Sequence, residues 1–479
     1  MPAALFLTLT LAGCARATPE QQFINDAAAA MGGRDRIDAV KTLTIEGEGV
    51  NFNLGQDLKP EAATQTFAIT GYKRELDLAN SRQRVQQTRT PQFAFFQGPQ
   101  PQTQIQGLDG AVAFNVNPGT ATRLGGLAAV DRAADLYHHP LTLLRSTADP
   151  KTTIANVRTM GAVRQAEIHT AAGPVLTMTI DAAGVPLSIS SNAYHANLGD
   201  VVMTTTMSDY ADVNGLKLPR RLAGKVDDFT TWEIQASSQT VDGDTADLAA
   251  PATVSAPRTD KPEGLSPPVA VTVAAVGKGV WLLAGQSHHS ALIEFSDHLM
   301  LIDAPQSEAR TMAVIAKARD TVPGKPLTQL VTTHHHFDHT AGLRAAIAEG
   351  LTVITHAGNR EWVEHMAKRP HTRQPDALAK NPRPVTVETV DGEREFKDAA
   401  MAVTLYHVAG NPHSDTMLMA YVPGVRVVIQ VDAFGPGSQS HPYAANLLEN
   451  IRSRKLAVDR IVPLHSVIAP FAELVKVGS

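Results

Sequence analysis

The apolar positions of this chain follow two rhythms, and the change falls near residue 250. Residues 19–31 read as a helix, with Thr18 as its N-cap and Gly32-Gly33 as its stop. A second short helix over 34–40 precedes a strand over 41–48. Strand-like runs then recur between turn signals, at 64–70, 74–78, 175–180, 186–191 and 201–210. The alternation is plain in Val175-Leu176-Thr177-Met178-Thr179-Ile180, and Asp181-Ala182-Ala183-Gly184 and Asp212-Val213-Asn214-Gly215 supply turns. This patterning predicts an antiparallel, meander-like sheet with one covered face, against which residues 133–146 pack as a helix.

Residues 251–268 carry Pro251, Pro257, Pro262, Pro267 and Pro268 among Ser, Thr and charges, a composition that predicts a linker without regular structure. Beyond it, 271–276, 280–284, 291–295 and 298–302 read as antiparallel strands, and 307–319 as a helix with Met312, Ile315 and Ala316 on one side. Strands and helices alternate to the end, closing with helices over 446–454 and near 471–475. The predicted class is α+β, divided into a leader segment (1–17), a sheet domain (18–250), a linker (251–268) and a second domain (269–479).

The chemistry concentrates in Thr333-His334-His335-His336-Phe337-Asp338-His339-Thr340-Ala341-Gly342. An apolar run over 327–332 reads as a buried strand entering this loop, and 341–349 as the helix leaving it. Imidazole nitrogen and carboxylate oxygen suit zinc, with iron or manganese as alternatives. Alternation in an extended segment sends His334 and His336 to one side, and a tighter turn aims Asp338 and His339 at a second ion. The same alternation points His335 away.

This segment resembles the signature of the metallo-β-lactamase superfamily, whose members complete the site from later loops. Ala409-Gly410-Asn411-Pro412-His413-Ser414-Asp415-Thr416 resembles its glycine–histidine loop, and Val427-Val428-Ile429-Gln430-Val431-Asp432 its strand ending in a metal-bridging aspartate. Ile461-Val462-Pro463-Leu464-His465-Ser466 resembles the last histidine loop. The resemblance, over about 270–479, implies an αββα sandwich and a centre of two Zn²⁺ ions. His334, His336 and His413 would bind one, Asp338, His339 and His465 the other, and Asp432 would bridge them. It also implies a hydroxide held between the ions that attacks a carbonyl, with Asp338 as second-metal ligand and acceptor beside it. His288, His289 and Tyr443 are candidates for the pocket border, and His407 belongs to the strand before His413.

Two further resemblances lie upstream. Ala30-Met31-Gly32-Gly33 with Thr44-Ile45-Glu46-Gly47, and Tyr210-Ala211-Asp212-Val213-Asn214-Gly215-Leu216-Lys217-Leu218-Pro219, resemble periplasmic lipoprotein-carrier domains, which implies a curved half-barrel with an apolar concave face. Residues 1–10 are apolar, and Leu11-Ala12-Gly13-Cys14 resembles a bacterial lipoprotein processing site, which implies lipidation at Cys14 and export to the periplasmic side of the envelope. Cys14 is the only cysteine, as fits an exported chain without disulfides. His138-His139 before Pro140 reads as a structural pair that caps or fills a turn.

Length and charge narrow the classes. At 479 residues the chain exceeds one ordinary core, and a formal net charge of −5 shows no basic footprint for nucleic acid. The favoured activity is dinuclear hydrolysis of a small-molecule carbonyl ester, thioester or lactone. The resemblance implies that β-lactam-degrading branches carry cysteine or serine where this chain has Asp432. A β-lactam hydrolase, an iron-dependent oxidative relative and a lipid-binding envelope protein with a structural metal site stay open as alternatives.

Overall fold

The structure, a computed structural model, describes residues 17–96, 98–117, 119–255 and 269–479. Cys14 and most of the proposed linker lie outside the described residues. The first residues of that linker, Ala252–Ser255, form one helical turn with Val254 buried beside Phe114. No helix of the described residues is long and apolar enough to cross a membrane.

A capping box opens the described chain. The Thr18 hydroxyl accepts from Gln21 N–H, the Gln21 side chain accepts from Thr18 N–H, and Pro19 starts the helix Pro19–Ala30. Among the described residues, thirteen strands then form one antiparallel sheet. Neighbours in sequence pair except Thr120–Arg123 and Thr153–Met160, which are the two edges, and the first strand, Thr42–Asp57, pairs with the last, Phe229–Val241, joining the two arms of the meander. The runs 64–70 and 74–78 are one strand, Thr64–Asp77, whose register shifts at a bulge between Thr70 and Lys73.

Alternation sends Leu43, Ile45, Ile69, Leu76, Leu176, Met178 and Ile180 to one face. There they form one core with Phe23 and Ile24 of the first helix and with Leu141, Leu143 and Leu144. Residues 133–146 are divided between two helices, Gly126–Asp135 and Pro140–Ser146. Pro140 is tolerated only in the first turn of a helix, so a new helix begins there. His139 caps it, Nδ1 accepting from Leu141 N–H, and His138 bonds Thr205 and Ser191 through its two ring nitrogens.

The second domain is two sheets face to face with helices outside. One runs Thr272–Gly277, Val280–Ala284, Ser290–Glu294 and Leu299–Ile302 antiparallel, then Leu327–Val331, Thr352–His356 and Val387–Val390 parallel. The other comprises Glu393–Lys397, Ala402–His407, Leu418–Val422, Val427–Gln430, Arg460–Pro463 and Ala469–Pro470. Alternation again sorts the faces. Val280, Ala291, Ile293, Met300 and Ile302 join the core shared by the sheets, whereas Leu283, Leu292, Leu299 and Leu301 pack on Val314, Ile315 and Ala318 of the helix Glu308–Thr321. Ala193, Leu198, Val201 and Val226 of the first domain belong to that same outer core, so the domains share buried apolar contact.

Candidate metal centre

The loops that carry the site follow the carboxyl ends of strands, where side chains from several elements converge. Asp303 follows Leu299–Ile302, and the histidine segment follows Leu327–Val331. Asp432 follows Val427–Gln430, and His465 comes after Arg460–Pro463. Each loop is pinned by its own chemistry. Asp303 is fully buried and accepts from the Thr333 N–H and hydroxyl, both at 2.9 Å. Buried Gln430 folds the chain back after Asp432: its Oε1 accepts from Ala433 N–H and Phe434 N–H at 3.1 Å. Asn411 accepts from His413 N–H at 2.9 Å, making the Asx turn that aims that imidazole. Arg310, buried, donates to the carbonyls of Ala270, Leu283 and His288 and so holds the loop carrying His288.

The convergence forms two groups. Donor atoms of His334, His336, His413 and Asp432 lie within 4.8 Å of one another, as do those of His288, Asp338, His339 and His465. Asp432 faces both groups. Its Oδ2 is 3.3 Å from His334 Nε2, 3.3 Å from His413 Nε2 and 2.9 Å from His339 Nε2, and its Oδ1 is 3.0 Å from His465 Nε2. The structure therefore brings together all seven residues singled out in the sequence, and adds His288, whose Nε2 is 3.0 Å from Asp338 Oδ2.

The donors suit divalent cations. His334 Nε2, His336 Nδ1, His413 Nε2 and Asp432 Oδ2 are buried without a hydrogen-bond partner. Unmet buried polar atoms cost about 1–3 kcal/mol each, a cost a cation among them offsets. Tautomers agree with this. His336 Nε2 donates to the Asp57 carbonyl at 2.8 Å, which leaves Nδ1 bare, and His339 Nδ1 donates to Asp303 Oδ2 at 2.9 Å, which frees Nε2.

Electrostatics points the same way. Burial pushes the His334 imidazole down to about 4 and holds that of His336 well below its ordinary value, so both rings are neutral at pH 7. Burial would also lower His339, but Asp432, Asp338 and Asp303 together hold its imidazolium well above the usual range. Burial alone would raise Asp432, yet His465, His339 and His413 hold it well below the usual carboxylate range. The centre thus demands positive charge, as a proton or as a metal ion.

Residues 284–465 match the family model of the metallo-beta-lactamase superfamily. Similar solved structures include a metallo-beta-lactamase from Hirschia baltica, 17% identical over 43% of this chain and 96% of that one, with a TM-score of 0.34. Another, from Pontibacter korlensis, is 17% identical over 44% and 97%, with a TM-score of 0.34. The metallo-beta-lactamase FIM-1 from Pseudomonas aeruginosa, in its mono-zinc form, is 19% identical over 43% and 93%, with a TM-score of 0.35.

Around this centre stand residues that the sequence pattern does not single out. Asp303 ends an apolar strand, the same signal that marked Asp432. Gln56 of the first domain donates from Nε2 to Asp338 Oδ1 at 2.7 Å, a contact between residues 282 positions apart that no local pattern announces. His335 is buried away from the groups, its ring edge-on to Trp362, and His407 ends the strand Ala402–His407. A cavity of about 590 Å³ opens over the centre, lined by His288, Asp338, His413, Asp432, Tyr443 and His465 on one side and by Phe93, Phe95 and Phe96 of the first domain. His289 is not among its lining residues.

Proposed function

We propose that this chain is a dinuclear metal-dependent hydrolase of a small carbonyl ester, thioester or lactone. The observation that carries the reading is Asp432, one carboxylate within 3.3 Å of three histidines, with a fourth 3.0 Å from its other oxygen. In this reading His334, His336 and His413 hold one ion, Asp338, His339 and His465 hold the second, and Asp432 serves both. Nitrogen and oxygen donors favour zinc, with iron or manganese as substitutes. When bound, such a pair supplies Lewis acidity toward a carbonyl oxygen and lowers the pKa of water to about 7.

The chain's own residues do the rest. Asp338 is oriented at both oxygens, by Gln56 and His288, and borders the cavity, where it accepts a proton from an incoming water. Asp303 and the Asp57 carbonyl fix the rings of His339 and His336. Burial, and then the neighbouring Asp432 charge, push Tyr443 up to about 12, so its hydroxyl stays neutral beside the centre. An aspartate at 432, where the resemblance places cysteine or serine in β-lactam-degrading branches, favours ester-type substrates over β-lactams.

The test is metal analysis with a hydrolysis panel of thioesters, lactones, phosphodiesters and a chromogenic β-lactam. The expected result is about two ions per chain and hydrolysis abolished in His336→Ala and Asp432→Ala. Full activity in both variants, or redox-active iron with oxygen-dependent turnover, would replace the reading. Export is part of the proposal: Leu11-Ala12-Gly13-Cys14 supports a lipid anchor on Cys14 at the periplasmic side of a bacterial envelope. Mass spectrometry of the native N-terminus decides it, an unmodified Cys14 counting against the anchor.

A further inference from the structure

The cavity over the metal centre is shared between domains, and its two sides differ in chemistry. Metal-binding candidates face it from the second domain, whereas the first domain contributes Phe93, Phe95 and Phe96 from the segment after the strand Arg82–Pro91, beside the uncharged amides Asn53, Gln56 and Gln65. These rings are placed by contacts, not left loose. Phe93 stands edge-on to Phe67 at 5.1 Å and to Phe95 at 5.7 Å, and Phe96 stands edge-on to Tyr443 of the second domain at 5.5 Å. The segment's backbone is tied across the interface as well: Ser440 N–H donates to the Phe96 carbonyl at 3.0 Å, and the Tyr443 hydroxyl donates to the Ala94 carbonyl. Each phenylalanine is only half-buried and turns remaining surface to the cavity.

The lining also lacks something. Among the described residues around the cavity there is no lysine or arginine, and the fixed charges are the carboxylates Asp338 and Asp432. A substrate with its own carboxylate or phosphate away from the reacting carbonyl finds no side-chain cation to replace its hydration, and burying such a group unpaired is costly. An uncharged acyl or aryl group finds aromatic surface instead.

We infer that the first domain is the specificity element of the active site: Phe93, Phe95 and Phe96 form an acyl-binding wall that selects substrates with an uncharged, apolar acyl or aryl group. The inference rests on the hydrolase reading for the position of the scissile carbonyl, and its test separates the two. The full-length, metal-loaded protein is assayed with p-nitrophenyl acetate, butyrate and octanoate and with the mono-p-nitrophenyl ester of suberic acid, which matches octanoate in chain length but ends in a carboxylate. Binding of 2-nonanone and 2-butanone, uncharged ketones that cannot be hydrolysed, is measured by calorimetry.

The wild type is expected to favour octanoate over acetate in kcat/KM by at least about tenfold, since each buried methylene contributes up to about fourfold. The suberate ester falls at least about tenfold behind octanoate. Phe95→Ala lowers the octanoate-to-acetate ratio and the 2-nonanone affinity by about tenfold, mainly through KM, while Phe95→Leu, which keeps apolar volume, retains most of both. Because Phe93 packs on Phe67, circular dichroism accompanies Phe93→Ala, and the chain-length and charge comparisons on the wild type need no variant.

Equal rates along the acyl series, a suberate ester handled as well as octanoate, or ketone binding unchanged in Phe95→Ala overturns the inference and leaves the hydrolase reading standing. Failure to hydrolyse any ester, thioester or lactone, with 2-nonanone binding that still depends on Phe95, overturns the hydrolase reading and leaves the apolar wall in place.

Discussion

Asp303 ties the metal loop to the sheet with one side chain. It is fully buried, adopts φ +63°, and accepts three hydrogen bonds, two from Thr333 and one from His339 Nδ1. Replacing it by asparagine keeps the shape but turns one oxygen into a donor, so either Thr333 or His339 then faces an N–H. Asp303→Asn is expected to weaken metal affinity by about 10–100-fold, measured by competition with a chromogenic chelator. Unchanged affinity would reduce Asp303 to a packing role. At this scale His334, His336, Asp338 and His339 were readable because their spacing is local. Asp303 was not, since it is a lone residue more than 30 positions away whose partner is set only by folding, and His288 was readable as a pocket-border candidate but not as the partner of Asp338.

At the scale of elements, the end of the strand Thr42–Asp57 supports the centre. Gly55 there takes φ +79°, and a Cβ on it would overlap the ring of Phe337, between the ligand candidates His336 and Asp338. The next two residues are Gln56 and Asp57, which bond Asp338 and His336. Gly55→Ala is expected to push the strand end away, costing about 1–3 kcal/mol and lowering metal occupancy, as read by urea unfolding with and without added metal. Wild-type stability and stoichiometry in that variant would show that the strand end supports nothing. The sequence pattern predicts this strand only as far as residue 48, where glycines break the alternation. In the structure, Gly47 and Gly49 are the places where the neighbouring strand's backbone comes too near for any Cβ. Composition signals a break there; tertiary contact makes it a continuous strand. The helix Pro19–Ala30 was legible because its cap and its proline act within one turn.

At the scale of the molecule, buried neutral histidines link folding to pH. Burial pushes His139 down to about 3, His138 to about 4 and His195 to about 4. His139 Nδ1 accepts from Leu141 N–H, and His195 Nδ1 from Asn197 and Leu198 N–H, so protonation there would set donor against donor. These folded-state values lie below the ordinary 6.5 of the unfolded chain, so the unfolded state binds more protons between them. Stability is therefore complete above about pH 6.5 and declines as pH falls toward 4, by up to about 1.4 kcal/mol per pH unit for each proton taken up. His139→Asn retains a capping acceptor without the titration, and is expected to show a flatter loss of urea midpoint between pH 7 and pH 5. A slope equal to that of the wild type would count against His139 as a contributor.

By itself the sequence determined the periodicity of both halves, the helix caps, and the identity and order of the metal-binding candidates, because each is written in residue type and short spacing. It also placed Asp432 and His465 at the ends of apolar strands. Only the tertiary structure decided that the Asp432 oxygens reach the histidines of both donor groups within hydrogen-bond range, that His288 joins one of those groups, and that Asp303 and the Asp57 carbonyl fix the rings. It likewise decided that three phenylalanines of the first domain line the cavity of the second. Those arrangements depend on which strand ends and domain surfaces meet in space, and that is settled by the burial of several cores at once.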